Sequence, residues 1–231
     1  MKPATSPDKL ITSGDHRVTI AGPAGALQAV LSVPEAAVAG TNFPTSVAII
    51  CHPHSLMGGS LDNKVVFTLH RACRDQGLTT IRFNFRGVGA SEGVYDHGMG
   101  EQDDLLAVLA WARQQLGAER LVLAGFSFGS FVAASAWPRA LAAGWQGRQL
   151  LLVAPPVTRF PLVGHELQAG TRVIYGDADE VVDPSAIRDW LAAQPQALDI
   201  RVLPGAGHFF HGRLSELKDW VGAGLQESVH D

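Results

Sequence analysis

The 231-residue chain is 46% hydrophobic, 17% charged and 7% aromatic, too apolar for intrinsic disorder and long enough for one large α/β domain or two small ones. Its 18 Lys+Arg against 22 Asp+Glu leave a formal charge of −4, with the basic residues scattered along the chain. Affinity for nucleic acid or an anionic membrane comes from clustered Lys/Arg, so neither is expected as a partner.

In chain order, Met1 to Gly14 contains Pro, Ser and Asp. It lacks both the apolar core of a signal peptide and a stretch long enough to span a bilayer, which predicts a loose tail on a cytoplasmic protein. With no internal repeat and no low-complexity linker, residues 15–231 are expected to form a single domain. His16 to Ile20 and Ala26 to Val33, joined by Gly22-Pro23-Ala24-Gly25, predict an antiparallel hairpin at a sheet edge.

From residue 47 onward, short β-branched apolar runs alternate with longer stretches of helical periodicity, the pattern of an α/β fold with a mainly parallel sheet covered by helices on both faces. Strands are predicted over Val47 to Cys51, Thr79 to Phe85, Leu121 to Gly125, Leu150 to Val153, Arg172 to Tyr175 and Ile200 to Leu203, making about eight with the hairpin. Helical stripes run through Leu61, Val65, Leu69 and Cys73, stopped by Gly77; through Leu105, Leu109, Ala112 and Leu116, capped by Gly117; and through Leu214, Leu217, Val221 and Leu225. Asp183-Pro184 reads as N-cap and first helical position of a helix through Ile187, Trp190 and Leu191. Cys51 and Cys73 sit in apolar periodic segments and are expected to be buried free thiols.

Chemistry enters at Gly125-Phe126-Ser127-Phe128-Gly129, a Gly-x-Ser-x-Gly directly after a strand and before a small-residue helix. In that context the serine hydroxyl projects at the carboxyl edge of the sheet, and the helix N-terminus behind it favours a developing oxyanion. A serine is a poor nucleophile at neutral pH and needs a base held by a carboxylate. The next strand ends in a loop with Asp177, Asp179, Glu180 and Asp183; the strand after it ends in Pro204-Gly205-Ala206-Gly207-His208. Asp183 already serves as an N-cap and Asp177 could serve the turn after Gly176. Of the nine histidines, His208 is the candidate base, because its Gly-Ala-Gly approach lets a loop carry an imidazole to the serine. His211 is expected to start or cap the last helix, and His16, His70, His97, His165 and His230 are expected in surface or core roles.

The segment from about 47 to 220 resembles the α/β-hydrolase superfamily, most closely its small, lidless bacterial serine hydrolases related to dienelactone hydrolases. The residues carrying the resemblance are Gly125-Phe-Ser127-Phe-Gly129, Gly176-x-x-Asp179-x-x-Val182, Gly205-Ala-Gly-His208-Phe-Phe, His52-Pro-His54 with Met57-Gly-Gly-Ser-Leu-Asp-Asn-Lys64, and Phe83-Asn-Phe-Arg86-Gly-Val-Gly-Ala-Ser91-Glu-Gly93. It implies a catalytic triad of Ser127, Asp179 and His208, with Asp183 and Asp177 as the alternative acids. It also implies an oxyanion hole from the backbone N–H of Phe128 and a second N–H from the loop after Cys51. There the chain departs from the commoner His-Gly-x pattern: Pro53 has no N–H, so the matching donor is His54, with Ser55 or Leu56 as alternatives. Dienelactone hydrolases use a cysteine nucleophile, and Ser127 in its place argues against that activity.

Two other readings are set aside. His52-x-His54 could chelate zinc but lacks a third ligand of suitable spacing. Gly87-Val-Gly89-Ala-Ser-Glu-Gly93 resembles a dinucleotide fingerprint, but its third glycine is one position late and no helical stripe follows directly; the family implies a structural loop braced by Arg86 and Ser91. No cofactor or metal is therefore expected. Gly58, Gly59 and Ser60 are expected to begin the Leu61 helix, with Asp62 and Asn63 in its first turn. Residues 154–171 are too few for a cap domain, which predicts an open cleft flanked by Leu56, Met57, Phe128, Pro156, Phe160, Val181 and Phe209. The expected function is hydrolysis of small, short-chain carboxylic esters. Thioesters, peptides and amides share the machinery, and a non-catalytic binding scaffold is the competing class. Oligomeric state is not legible, although the edge hairpin could permit dimerisation.

Overall fold

The computed structural model describes residues 12–35, 46–160, 162 and 167–229. The predicted tail lies outside the described residues up to residue 11, as do His165 and His230, and Gly14 already begins the first strand. Among the described residues, eight strands form one sheet: β1 (Gly14–Gly22), β2 (Gly25–Val33), β3 (Ser46–Cys51), β4 (Thr79–Phe83), β5 (Arg120–Phe126), β6 (Gln146–Val153), β7 (Arg172–Gly176) and β8 (Asp199–Leu203). Their order is β1-β2-β4-β3-β5-β6-β7-β8. The expected edge hairpin is present, with Gly22 opposite Gly25 across a turn of Pro23 and Ala24, and β2 runs antiparallel to β4. The remaining neighbours are parallel.

Among the described residues five helices cover the sheet: α1 (Lys64–Asp75), α2 (Met99–Leu116), α3 (Phe128–Ala142), α4 (Pro184–Ala192) and α5 (Leu214–Val229). Because successive strand side chains point to opposite faces, each inner strand feeds two cores. Val47, Ile49, Leu121 and Leu123 pack in one core with Leu105, Val132 and Ile187 of α2, α3 and α4. Ala48, Ile50, Val122 and Ala124 pack in the other with Leu69 of α1 and Leu217 and Val221 of α5. This is why β3 and β5 read as unbroken apolar runs, without the alternation of a half-exposed strand. Cys51 and Cys73 are free and buried; burial pushes the Cys73 thiol up to about 12 and the Cys51 thiol in the same direction. No helix among the described residues is long and apolar enough to cross a membrane.

Three boundaries differ from the sequence expectation. α1 begins at Lys64 rather than near Gly58, because the Asn63 side chain accepts the Val65 N–H at 2.9 Å and acts as N-cap. Gly58, with φ +77, instead closes a short 3-10 turn over Ser55–Met57. Leu61 reaches the core from outside the helix, its N–H held by Asn84 Oδ1 at 2.8 Å, and Asp62 pairs with Arg82 at 3.0 Å. β4 stops at Phe83, short of Phe85, whose N–H donates to the His52 ring at 3.0 Å and leaves the ladder. β6 starts four residues before Leu150, over a polar, partly exposed stretch that carries no apolar signal.

The segment between β4 and α2 is held by buried ion pairing. Arg86 Nε and Nη2 donate to the two oxygens of Asp104 at 3.0 and 2.8 Å, the Arg86 N–H adds a third bond at 3.0 Å, and the Asp104 side chain is fully buried. Gly100 is the residue that lets the guanidinium lie there, since a Cβ at that position would fall 1.9 Å from Arg86 Nη1. Ser91 Oγ donates to Asn84 O at 2.8 Å and accepts the Gln28 N–H at 2.9 Å, tying the same loop to the edge hairpin. The Gly87–Gly93 run is thus the braced structural loop the resemblance implies. Removing one partner of a buried ion pair strands the other, so Asp104→Ala should lower the unfolding free energy by about 3–5 kcal/mol. Urea denaturation measures it, and a loss below about 1 kcal/mol would place the pair among ordinary surface bridges.

Candidate active site

β5 runs into α3 through a single residue. Ser127 sits at φ 52, ψ −121, a conformation that costs a non-glycine residue about 1–3 kcal/mol. The flanking glycines make the turn possible. A Cβ at Gly125 would lie 2.2 Å from Gly129 O, and one at Gly129 would lie 2.3 Å from Cys51 O. The turn is pinned to β6 by the Ser127 N–H donating to Val153 O at 2.8 Å, and by the buried Ser130 hydroxyl, which lies 2.7 Å from Gly125 O and 2.9 Å from Val153 O.

The loop after β8 brings His208 to this serine. Gly176, at the end of β7, permits the approach, since a Cβ there would fall 1.9 Å from Ala206 O. His208 is buried, with Nε2 at 3.0 Å from Ser127 Oγ and Nδ1 at 2.7 Å from Asp179 Oδ2. The fully buried Asp179 carboxylate also accepts the N–H groups of Val181 and Val182, both at 2.8 Å. Facing a carboxylate, Nδ1 carries the proton and donates, which leaves the Nε2 lone pair for the serine hydroxyl. Glu180 holds the loop from the other side, accepting the His208 N–H at 3.1 Å.

The two alternative acids have other partners. Asp183 Oδ1 accepts the Ser185 N–H at 2.8 Å and caps α4. Asp177 Oδ1 accepts the Gly205 N–H at 2.6 Å and ties the β7 and β8 loops together. His211 is not at the start of the last helix: α5 begins at Leu214, and the exposed His211 packs its ring against Phe209.

Phe128 and His54 both line the cleft. Neither backbone N–H donates to a protein group among the described residues; that of Phe128, the first residue of α3, is one of the orphan donors every helix N-terminus has. The Leu56 N–H is engaged by His54 Nδ1 at 3.2 Å, which removes it as an alternative donor. The two histidines considered for zinc use their ring nitrogens elsewhere. His52 Nε2 accepts the Phe85 N–H, so its Nδ1 donates to Pro53 O at 2.6 Å, and burial pushes its pKa down to about 4. Among the described residues no group of three or more His, Cys, Asp or Glu is placed to hold a metal.

The cleft above Ser127 has a volume of about 560 Å³, within the range of small-molecule sites. Met57, Phe128, Pro156, Phe160, Val181 and Phe209 line it as expected, whereas Leu56 points to solvent. His54 lines it as well, the residue that the resemblance implies as second oxyanion donor, together with Asn63, Arg159 and Glu180, which the sequence does not place in the cleft. Glu180 neighbours Asp179 in sequence, a usable signal; Arg159 lies in a segment without periodicity and had none.

A strained serine on a strand-to-helix turn, hydrogen-bonded through histidine to a buried carboxylate at the carboxyl edge of a mainly parallel sheet, defines the serine α/β-hydrolase class. The chain matches the family model of the alpha/beta hydrolase fold over residues 49–140. It is 32% identical over 180 residues to the uncharacterized protein RP471 of Rickettsia prowazekii, covering 74% of each chain. The crystal structure of XC6422 from Xanthomonas campestris, described as an α/β serine hydrolase without lid, is 41% identical with a TM-score of 0.84 over 94% of this chain and 95% of that one. An α/β serine hydrolase homologue from Coxiella burnetii is 39% identical, with a TM-score of 0.82 over 93% and 99% of the two chains. The chain belongs to the α/β-hydrolase family and has the fold of its lidless serine hydrolases.

The positive φ at Ser127 has a measurable consequence. At regular positions alanine is more stabilising than glycine, but at φ 52 the Cβ is the source of strain. Ser127→Gly should therefore be more stable than Ser127→Ala by about 1 kcal/mol. Thermal unfolding of the two variants measures it, and alanine equal to or above glycine would show that the turn relaxes.

Proposed function

We propose that the chain is a serine hydrolase that cleaves small carboxylic esters through an acyl-enzyme. Ser127 Oγ attacks the ester carbonyl as His208 Nε2 takes its proton. The Phe128 and His54 N–H groups receive the developing oxyanion, and the His208 imidazolium returns the proton to the departing alkoxide. Water then attacks the acyl-enzyme by the same steps, with His208 as base. Asp179 keeps Nδ1 protonated and stabilises the imidazolium without taking the proton.

One observation carries this reading: the unbroken hydrogen-bonded chain from Asp179 Oδ2 through His208 to Ser127 Oγ, 2.7 and 3.0 Å in its two links, ending in a cleft. A binding scaffold would have no need to retain all three side chains at bonding distance around a strained serine. Pro156 and Phe160 supply cleft walls, and the segment 154–171 is too short to build a cap domain, which favours short acyl chains over enclosed long ones. The substrate is a small molecule, with no nucleic acid or membrane partner implied. The same machinery would act on thioesters or activated amides, and the pocket decides among them.

A fluorophosphonate should label the wild type on Ser127, and Ser127→Ala should lose the label; an unlabelled, well-folded wild type would sink the hydrolase reading. On p-nitrophenyl esters, rates should fall as the acyl chain lengthens. Asp179→Asn should lower kcat by about 10³–10⁴-fold, because the amide favours the wrong histidine tautomer. Asp183→Asn should stay close to wild type, since asparagine caps a helix as well as aspartate. A dead Asp183→Asn beside an active Asp179→Asn would reverse the assignment of the acid.

A further inference from the structure

The His52-Pro53-His54 turn fastens the loop after β3 with two imidazoles, and the second has an arrangement that the proposed chemistry has not used. His54 Nδ1 accepts the Leu56 N–H at 3.2 Å, which requires an unprotonated Nδ1. The neutral ring must then carry its proton on Nε2, where the partner is Tyr95 Oη at 3.1 Å, so His54 donates to the tyrosine. The His54 carbonyl accepts the N–H groups of Met57 and Gly59, both at 3.0 Å. Ring and carbonyl thus bind three N–H groups of the following turn, and Tyr95 holds the ring from outside. The remaining polar group of the residue, its backbone N–H, is left without a protein partner among the described residues.

Tyr95 is a firm anchor. The next residue, Asp96, donates its N–H to Glu101 Oε1 at 2.9 Å, and the Gly98 N–H donates to Glu101 Oε2 at 2.7 Å, with Glu101 fully buried on α2. The His54 ring also packs against Tyr95, Phe128 and Phe160, with centroids 4.9, 5.1 and 5.7 Å away. Burial, then the Arg159 guanidinium, hold His54 below the usual histidine range, with His97 pushing the same way and Glu101 opposing. The Nδ1 lone pair is therefore available at neutral pH.

We propose that the His54 side chain and Tyr95 are positioning residues that aim the His54 backbone N–H at the oxyanion. This rests on the reading of His54 as the second oxyanion-hole donor. Every side-chain variant of His54 keeps that N–H, so an effect on turnover must come through its placement. A donor misplaced by about 1 Å forfeits up to about 10²-fold in rate, the scale seen when an oxyanion donor is removed outright.

Three variants separate hydrogen bonding from packing. His54→Phe keeps an aromatic ring but loses the acceptor for Leu56; kcat on p-nitrophenyl acetate should fall about 10- to 100-fold with KM little changed. His54→Asn loses the ring and its bond to Tyr95 but restores a side-chain oxygen for the Leu56 N–H, and should recover kcat to the level of Tyr95→Phe. Tyr95→Phe keeps its ring and loses only the acceptor for Nε2–H, and should lower kcat by about 3- to 10-fold. The proposal is overturned if His54→Phe turns over like wild type, if His54→Asn is as impaired as His54→Phe, or if the loss lies in KM alone. Should His54→Phe fail to fold, Tyr95→Phe decides, and unchanged kcat there overturns it. Wild type left unlabelled by fluorophosphonate would instead refute the hydrolase reading beneath it.

Discussion

Everything at the carboxyl edge of the sheet is arranged around how closely the backbone can approach itself at the turn between β5 and α3. Gly125 and Gly129 face backbone carbonyls at distances where no Cβ fits, and this contact forces Ser127 into positive φ. The strain at that residue is borne by the packing of β5 between β3 and β6, the middle of the sheet. A central position suits it: strand partners on both sides, with two cores behind them, over-determine the turn. The same closeness brings the ends of β3, β5 and β6 together, so loops leaving neighbouring strands converge on one hydroxyl.

Around this centre, buried carboxylates organise the loops. Asp179 accepts the N–H groups of Val181 and Val182, Glu101 accepts those of Asp96 and Gly98, and Asp104 accepts that of Arg86 along with its guanidinium. A buried charge is tolerated only when fully hydrogen-bonded or paired, and each of these satisfies donors of an irregular segment that would otherwise lack partners. The result is stiff loops at the places where the chain leaves regular structure. Asp179 uses one oxygen for its own loop and the other for His208, which couples the orientation of the imidazole to the backbone of the loop after β7.

The parts legible in the sequence were those encoded by local periodicity or by a short steric motif. The alternation of apolar runs and helical stripes, the Gly22 to Gly25 hairpin, the Asp183-Pro184 cap and the Gly-x-Ser-x-Gly turn all depend on residues a few positions apart. What escaped depends on pairs far apart in the chain. The Tyr95 to His54 bond spans 41 positions and the Phe85 N–H to His52 bond 33; neither leaves a local trace, although the second sets where β4 ends. The start of α1 departs from the helical spacing for a related reason. Leu61 stands in helical spacing to Val65 and is buried, but it lies outside the helix, with its N–H bonded to Asn84 and not to a helical carbonyl. Arg159 was invisible because its segment has neither period nor motif.

The short connection between β6 and β7 has a consequence for how such a site could work. A lid that closes over substrate expels water, and the lower local dielectric strengthens every interaction with developing charge. With residues 154–171 too few for a cap domain, that route is closed to a fold of the lidless kind. Stabilisation of an oxyanion must then come from donors already fixed in place before substrate arrives, since mobile dipoles competing with water contribute little. Phe128, as proposed donor, meets this requirement through α3, whose first turn cannot move without breaking the Ser127 elbow. The donor proposed on the other side, the His54 N–H, belongs to a loop, and a loop acquires comparable rigidity only through side-chain bonds. The two imidazoles flanking Pro53, one tied to the Phe85 backbone and one to Tyr95, supply those bonds.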